Sequence, residues 1–329
     1  MDPLERKILG SSGLEVTRLG LGCAALGGLY GDIPEEQAEA VVHTALELGL
    51  NLFDTAPLYG SGKSEIRVGR ALQSVPRDSY VLASKVGRVL EPADGEDRGQ
   101  SIFENPPPFN PVFDFSHDGV MRSVEESLER LKLDRIDVLH IHDPDDHYEE
   151  AIGSAYPALY KLRSEGTIKA VSAGMNQWEM LARFAREGDF DCFLLAGRYS
   201  LLEQESLDEL LPLCLEKDIG IMAGGTYNSG ILAKGSGEEA KYNYGDPPAD
   251  VIAKAQRLEA VAKRHEIDIK AVASQFALAH PAITCIIPGT RKPERVRENF
   301  DLLNVEIPAQ LWAELREEKL IRDDAPVPQ

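Results

Sequence analysis

The stretch VMRSVEESLERLKLDRIDVLHIH, Val120–His142, contains the repeating unit of the whole chain. Val120, Val124, Leu128 and Leu131 recur at helical spacing, and after a short polar break the run Ile136–His142 is apolar and β-branched enough to be a strand. The same alternation extends in both directions. Ala38, Val41, Val42 and Ala45 give another helical stripe, followed by LNLFD, Leu50–Asp54. The strand candidates are RLGLGC, LNLFD, YVLASK, IDVLHIH, IKAVSA, CFLLAG, IGIMAG and ITCIIP, with an extra helix expected before the last. Strands that are apolar throughout belong to parallel sheets covered on both faces. Eight strand–helix units without a Pro/Gly/Ser linker favour a single (β/α)8 TIM barrel over residues 1–329, with an open doubly wound sheet as the lesser alternative. The opening RKILGSSGLEVTRLG predicts an N-terminal β-hairpin.

The 329 residues are 43% hydrophobic, and 55 acidic side chains oppose 35 basic ones. That field repels nucleic acid and anionic lipid. No apolar run reaches the roughly 18 residues of a membrane span, and no leader pattern is seen, so a cytoplasmic protein is expected. Cys23, Cys192, Cys214 and Cys285 are far apart in apolar runs and read as buried thiols. Two segments break the spacing. Residues 86–117, with ENPPPFNPVFDF, predict a long loop over the barrel mouth, its Phe109, Phe113 and Phe115 either walling a pocket or packing the loop down. Residues 231–250 predict a second, a lid or a disordered segment.

In NLFDTAPLYGSGKSE, Asn51–Glu65, GSGKS imitates a phosphate loop, but the pattern would place its first glycine at Pro57. Proline has no N–H to offer and Leu58 and Tyr59 crowd the approach, so the segment predicts a turn, with Ser64 capping a helix from about Glu65 and Lys63 on the surface. Chemistry is expected in DTAPLY instead. Asp54 ends the second barrel strand and Lys85 the third, at the end where barrel enzymes keep their active sites. A buried lysine needs a partner, and Asp54 is the natural one. Tyr59 beside that cation would have a lowered pKa.

His140 and His142 share one face of the fourth strand, a pattern that also suits a metal. His43, His117, His147, His265 and His280 supply no further ligands at strand ends, so no metal is expected. His142 would then hydrogen bond to a substrate oxygen and His140 would lie one layer deeper in the core. A Schiff-base aldolase using Lys85 is compatible with the same residues. After the last strand, Arg291, Lys292, Arg295 and Arg297 in an otherwise acidic chain mark a phosphate position or a solvated basic face.

LGLGCAALG, NLFDTAPLYG, SLERLKLDRIDVLHIHDP, GTIKAVSAG and IPGTRKPERVREN together resemble the aldo-keto reductases over nearly the whole chain. The resemblance implies a barrel that binds NAD or NADP without a Rossmann domain and a catalytic tetrad of Asp54, Tyr59, Lys85 and His142. It also implies cofactor contacts from Asn176, Gly224, Tyr227 and Asn228, and from Gly289, Thr290, Arg291, Arg295 and Asn299. Asn176 in AGMN, Ala196 and Gly224 depart from the common pattern of carboxamide and ring contacts. These departures, with VFDFSHDGVMRSVEESLERL and HIHDPD, look like the sugar-oxidising branch, that of L-fucose, D-threo-aldose and L-galactose dehydrogenases, with pyridoxal 4-dehydrogenase a close relation. That branch implies oxidation of an aldose C1 hydroxyl to the lactone, with NAD favoured because Gly289 replaces a lysine common in NADPH-dependent members. The alternative is an NADPH-dependent aldehyde or ketone reductase. The expected partner is a small sugar or aldehyde, with neither nucleic acid nor membrane.

Overall fold

The computed structural model describes residues 1–29, 31–93, 102–234 and 241–328. Strands β1 (Arg6–Ile8) and β2 (Glu15–Thr17) form the predicted antiparallel hairpin. The barrel then takes β3 (Leu21–Gly22), β4 (Leu52–Asp54) and β5 (Val81–Val86). A second hairpin, β6 (Arg88–Pro92) and β7 (Phe109–Phe113), interrupts it. Strands β8 (Val138–His142), β9 (Ala170–Met175), β10 (Cys192–Ala196), β11 (Gly220–Gly224) and β12 (Ile283–Ile286) complete it. The eight barrel strands lie in the order β3-β4-β5-β8-β9-β10-β11-β12, every neighbouring pair parallel. Bridges Leu19–Ile286 and Gly22–Gly289 join the first edge to the last, and the sheet is a closed (β/α)8 barrel.

Helices α1 (Glu35–Glu47), α2 (Lys63–Leu72) and α3 (His117–Leu131) cover the first half. A short α4 (Tyr148–Glu150) runs through a π turn at Ala151–Ala155 into α5 (Tyr156–Ser164). Next come α6 (Trp178–Glu187), α7 (Leu210–Glu216) and α8 (Ile231–Lys234). Two helices, α9 (Ala249–Arg264) and α10 (Ile269–Ala279), precede the last strand, and α11 (Pro293–Asn304) and α12 (Ala309–Glu317) follow it. Helix α3 shows how sequence sets the boundaries: Ser116 Oγ accepts from Gly119 N at 3.0 Å, Asp118 sits in the first turn, and Lys132 closes the end in a left-handed conformation. Its Val120, Val124 and Leu131 are buried against the barrel.

Side chains alternate along each barrel strand. One set packs outward against the helices, and the other fills the barrel as a separate core of Leu52, Ala83, Val138, Ala170, Cys192, Met222 and Cys285. Leu9 and Val16 of the β1–β2 hairpin join this inner core. Two residues further on, the inward positions become Asp54, Lys85, His140 and Ser172 on β4, β5, β8 and β9, while Leu194, Gly224 and Ile287 stay apolar or small on the other side, so the interior turns polar toward the C-terminal ends of one half of the strands. All four cysteines are free and buried.

Three expectations need correction. Helix α2 starts at Lys63 behind Gly62, and Ser64 does not cap it; its Oγ donates to Cys23 O at 2.8 Å and meets Thr55 Oγ1 at 2.9 Å, tying the turn to the barrel. Lys63 is no free surface lysine, since its Nζ lies 2.7 Å from Asp32 and its side chain is 14% exposed. The proline-rich segment expected as irregular loop supplies β7, with Pro111 opposite Leu90 in a two-stranded ribbon that has room for a residue lacking an N–H. Parts of both long segments, 94–101 and 235–240, lie outside the described residues.

Candidate active site

Asp54 closes β4 and Lys85 lies near the end of β5, facing inward on adjacent strands. Lys85 Nζ donates to Asp54 Oδ1 at 2.7 Å, to Oδ2 at 2.8 Å and to Thr55 O at 2.8 Å. Asp54 is 2% exposed and Lys85 1%, so the pair is fully desolvated. Burial alone would raise the Asp54 pKa, but the Lys85 charge and His140 outweigh it and hold the carboxyl below its ordinary range.

Tyr59 stands on the turn after β4, its ring 4.8 Å from Lys85 Nζ and 5.8 Å from the His142 ring, which it meets edge-on at 87°. The turn is held by a close backbone contact: a Cβ on Gly60 would lie 2.1 Å from Gly27 O, and Gly60 has φ +64. Only glycine fits there. The Phe103 ring lies 6.1 Å from the phenol ring, centre to centre, tilted by 37°. The expected lowering of the Tyr59 pKa does not occur in this arrangement. Burial first, then the Asp54 carboxylate, push it well above its ordinary value, and the Lys85 charge that was to lower it is engaged by both oxygens of Asp54.

His142 is buried, and its pKa falls well below the usual value through burial and the charges of Arg88 and Lys85, so it is neutral at physiological pH. His140 lies a layer deeper, level with Lys85, with Nδ1 2.7 Å from Ser172 Oγ and Nε2 3.4 Å from Asp54 Oδ1. It therefore touches the ion pair as well as the core. A neutral phenol and a neutral imidazole beside a buried ion pair can hold one substrate oxygen and exchange a proton with it.

On the opposite wall the inward residues at the mouth are small: Gly174, Ala196 and Gly224. Asn176 donates to Ala196 O at 2.7 Å. The loop after β11 contains Tyr227 and Asn228, and Asn228 Nδ2 donates to Gly197 O at 3.1 Å. Tyr227 OH donates to Asn299 Oδ1 at 3.0 Å, so this loop and α11 meet. Gly289 sits against Gly22, and Thr290 Oγ1 accepts from Lys292 N at 3.1 Å. Arg295 is paired with Glu298, which also holds Lys270, and Arg297 is paired with Glu47 at 2.7 Å. Arg291 makes no ion pair among the described residues.

These residues fit the expected nicotinamide dinucleotide. The inward positions Gly174, Ala196 and Gly224 bring no side chain larger than a methyl group to that wall. Along the neighbouring loop, Thr226 Oγ1 and Asn228 Oδ1 are buried and, among the described residues, lack hydrogen-bond partners. Such atoms call for a polar ligand. No group of three or more His, Cys, Asp or Glu side chains with metal-binding geometry occurs among the described residues.

The sequence reading passed over Phe103, Arg88 and Asp143. Arg88 lies three residues after Lys85 and Asp143 one after His142, but nothing in their spacing distinguishes them.

The aldo/keto reductase family matches residues 18–319. A pyridoxal 4-dehydrogenase from Microbacterium luteolum is 40% identical over 96% of this chain and 98% of its own length. A D-threo-aldose 1-dehydrogenase from a Pseudomonas species is 39% identical over 94% and 96%. Among solved structures, a holo-form aldo-keto reductase from Bacillus halodurans superposes with a TM-score of 0.77 at 25% identity, covering 99% of this chain and 98% of that one. With a matching barrel and a match across nearly its full length, the chain belongs to the aldo/keto reductase family.

Proposed function

We propose that this NAD(P)-dependent oxidoreductase oxidises the C1 hydroxyl of a cyclic aldose to the lactone, with Asp54, Tyr59, Lys85 and His142 as its catalytic tetrad and NAD+ as the preferred cofactor. The observation that carries this reading is the convergence of Tyr59 and His142 above the buried Lys85–Asp54 pair, together with 39% identity to a D-threo-aldose 1-dehydrogenase. When bound, the nicotinamide supplies the hydride acceptor. Tyr59, as phenolate, takes the C1 hydroxyl proton, and neutral His142 hydrogen bonds to the same oxygen and fixes its direction. Lys85 and Asp54 hold a fixed field beneath the phenol. Asn176, Gly224, Tyr227 and Asn228 would hold the cofactor on one side, and Gly289, Thr290, Arg291, Arg295 and Asn299 on the other. The preference for NAD+ is supported by Gly289, which brings no amine, and by Glu298, which already neutralises Arg295.

A second reading, NADPH-dependent reduction of an aldehyde or ketone, is favoured by the raised Tyr59, which is a proton donor at neutral pH, and by Arg291, which makes no ion pair among the described residues. Incubation with NAD+ or NADP+ and a panel of aldoses and pyridoxal separates the two. Aldose-dependent formation of reduced cofactor supports dehydrogenation. Turnover of simple aldehydes with NADPH and of no sugar with either oxidised cofactor selects the reductase.

A further inference from the structure

Above His142 the chain makes an unusual turn. Asp143 has φ +43, a left-handed conformation uncommon for a residue with a side chain, and its N–H donates to Gly174 O at 3.1 Å. The turn brings Asp143 Oδ2 to 3.5 Å from His142 Nε2. Arg88, the first residue of β6 after the left-handed Gly87, reaches the same oxygen at 3.5 Å with Nη2, while its guanidinium lies 4.5 Å from the centre of the Phe113 ring. The Asp143 side chain is 31% exposed and that of Arg88 13%. The carboxylate thus stays accessible to solvent beside His142, and the more buried guanidinium is within reach of the same oxygen. Backbone strain of this kind persists where the surroundings enforce it, often at a functional site.

On the proposed placement of the reacting oxygen, within about 2.6–3.2 Å of both Tyr59 and His142, Asp143 is too close to be indifferent to substrate. It cannot face the reacting oxygen productively, because a carboxylate repels the oxyanion that develops during reduction and competes with Tyr59 for the single proton during oxidation. A neighbouring hydroxyl, which brings its own proton, meets neither objection. We propose that Asp143, positioned by Arg88, accepts a hydrogen bond from the substrate hydroxyl on the carbon next to the reacting one, so that the enzyme selects 2-hydroxylated substrates. This inference rests on the site proposed above and not on the direction of the reaction.

The test compares kcat/KM for two pairs that differ only in that hydroxyl: an oxidised aldose and its 2-deoxy form with NAD+, and glyceraldehyde and 3-hydroxypropanal with NADH or NADPH. The wild-type protein is expected to favour the hydroxylated member by about tenfold to a hundredfold, as for a hydrogen bond to a charged acceptor. In Asp143→Asn and Asp143→Gly, both of which tolerate the left-handed backbone, that preference collapses, with the loss mainly in KM. Arg88→Met weakens the preference and Arg88→Lys restores part of it. A wild-type protein without the preference, or one whose preference survives in both Asp143 variants, overturns the inference. If no aldose is oxidised but glyceraldehyde is reduced, the dehydrogenase reading fails while the aldehyde pair still decides the role of Asp143.

Discussion

Replacing Asp54 by Leu leaves the Lys85 ammonium, 1% exposed, with Thr55 O as its one remaining acceptor among the described residues. Two charge-assisted hydrogen bonds are lost, each contributing about 1.5–3 kcal/mol, in line with the roughly 3–5 kcal/mol that uncoupling a buried ion pair costs. At about 2 °C per kcal/mol for a chain of this size, the melting temperature should fall by roughly 6–10 °C. Adding Lys85→Met removes the orphaned charge and fills the space with apolar atoms. The double variant should therefore recover most of the lost stability, because the pair's mutual attraction largely offsets its own desolvation. Activity should not recover, since the charges beneath Tyr59 are gone. Calorimetry and cofactor-linked turnover on Asp54→Leu, on Lys85→Met alone and on the double variant separate stability from catalysis. A single variant that melts with the wild type, or a double variant as unstable as the two single changes summed, would refute the reasoning.

Other outcomes follow from the same contacts. Because burial and Asp54 push the Tyr59 phenol above its ordinary value of about 10, kcat/KM for oxidation should climb with pH through the alkaline range as phenolate forms; reduction, which uses the protonated phenol, should stay flat near neutrality. His142, already neutral, should add no inflection near its ordinary pKa of about 6.5, and an inflection there in the wild-type profile would contradict its assignment. Gly60→Ala forces a Cβ into Gly27 O and displaces the turn carrying Tyr59, so kcat should drop by about a hundredfold, the cost of a misplacement on the order of 1 Å; an unchanged kcat sinks that account. Arg130→Met should destabilise by about 3–5 kcal/mol in urea titrations, because fully buried Glu65 keeps Ser84 Oγ at 2.7 Å but loses its guanidinium at 2.6 Å, and a wild-type midpoint would show the pair to be dispensable.

The barrel was legible because each strand is a continuous apolar run and each helix carries one apolar stripe, features set by residues within a few positions of one another. The tetrad was legible for a related reason: Leu52–Asp54 and Ala83–Lys85 change from apolar to charged at an inward position, where burial demands a partner. What escaped depends on segments far apart in the chain. Ser64 looks like a helix cap locally, but Cys23, 41 residues away, takes its hydroxyl. Lys63 meets Asp32 across a loop, and Arg88 meets Asp143 from a ribbon hidden by its own prolines. The Tyr59 pKa goes the other way because burial of the phenol depends on the whole fold and outweighs the nearby cation, and the Asp54 carboxylate paired with that cation also acts on the phenol.

The central claim is that Tyr59 moves the proton. In Tyr59→Phe the ring contacts with His142 and Phe103 remain and only the hydroxyl is removed. The decisive measurement pairs NAD+ binding with aldose-dependent NADH formation in this variant. Unchanged binding with turnover reduced by about 10²–10⁴-fold is the predicted result. Turnover close to that of the wild type would show that the proton passes elsewhere.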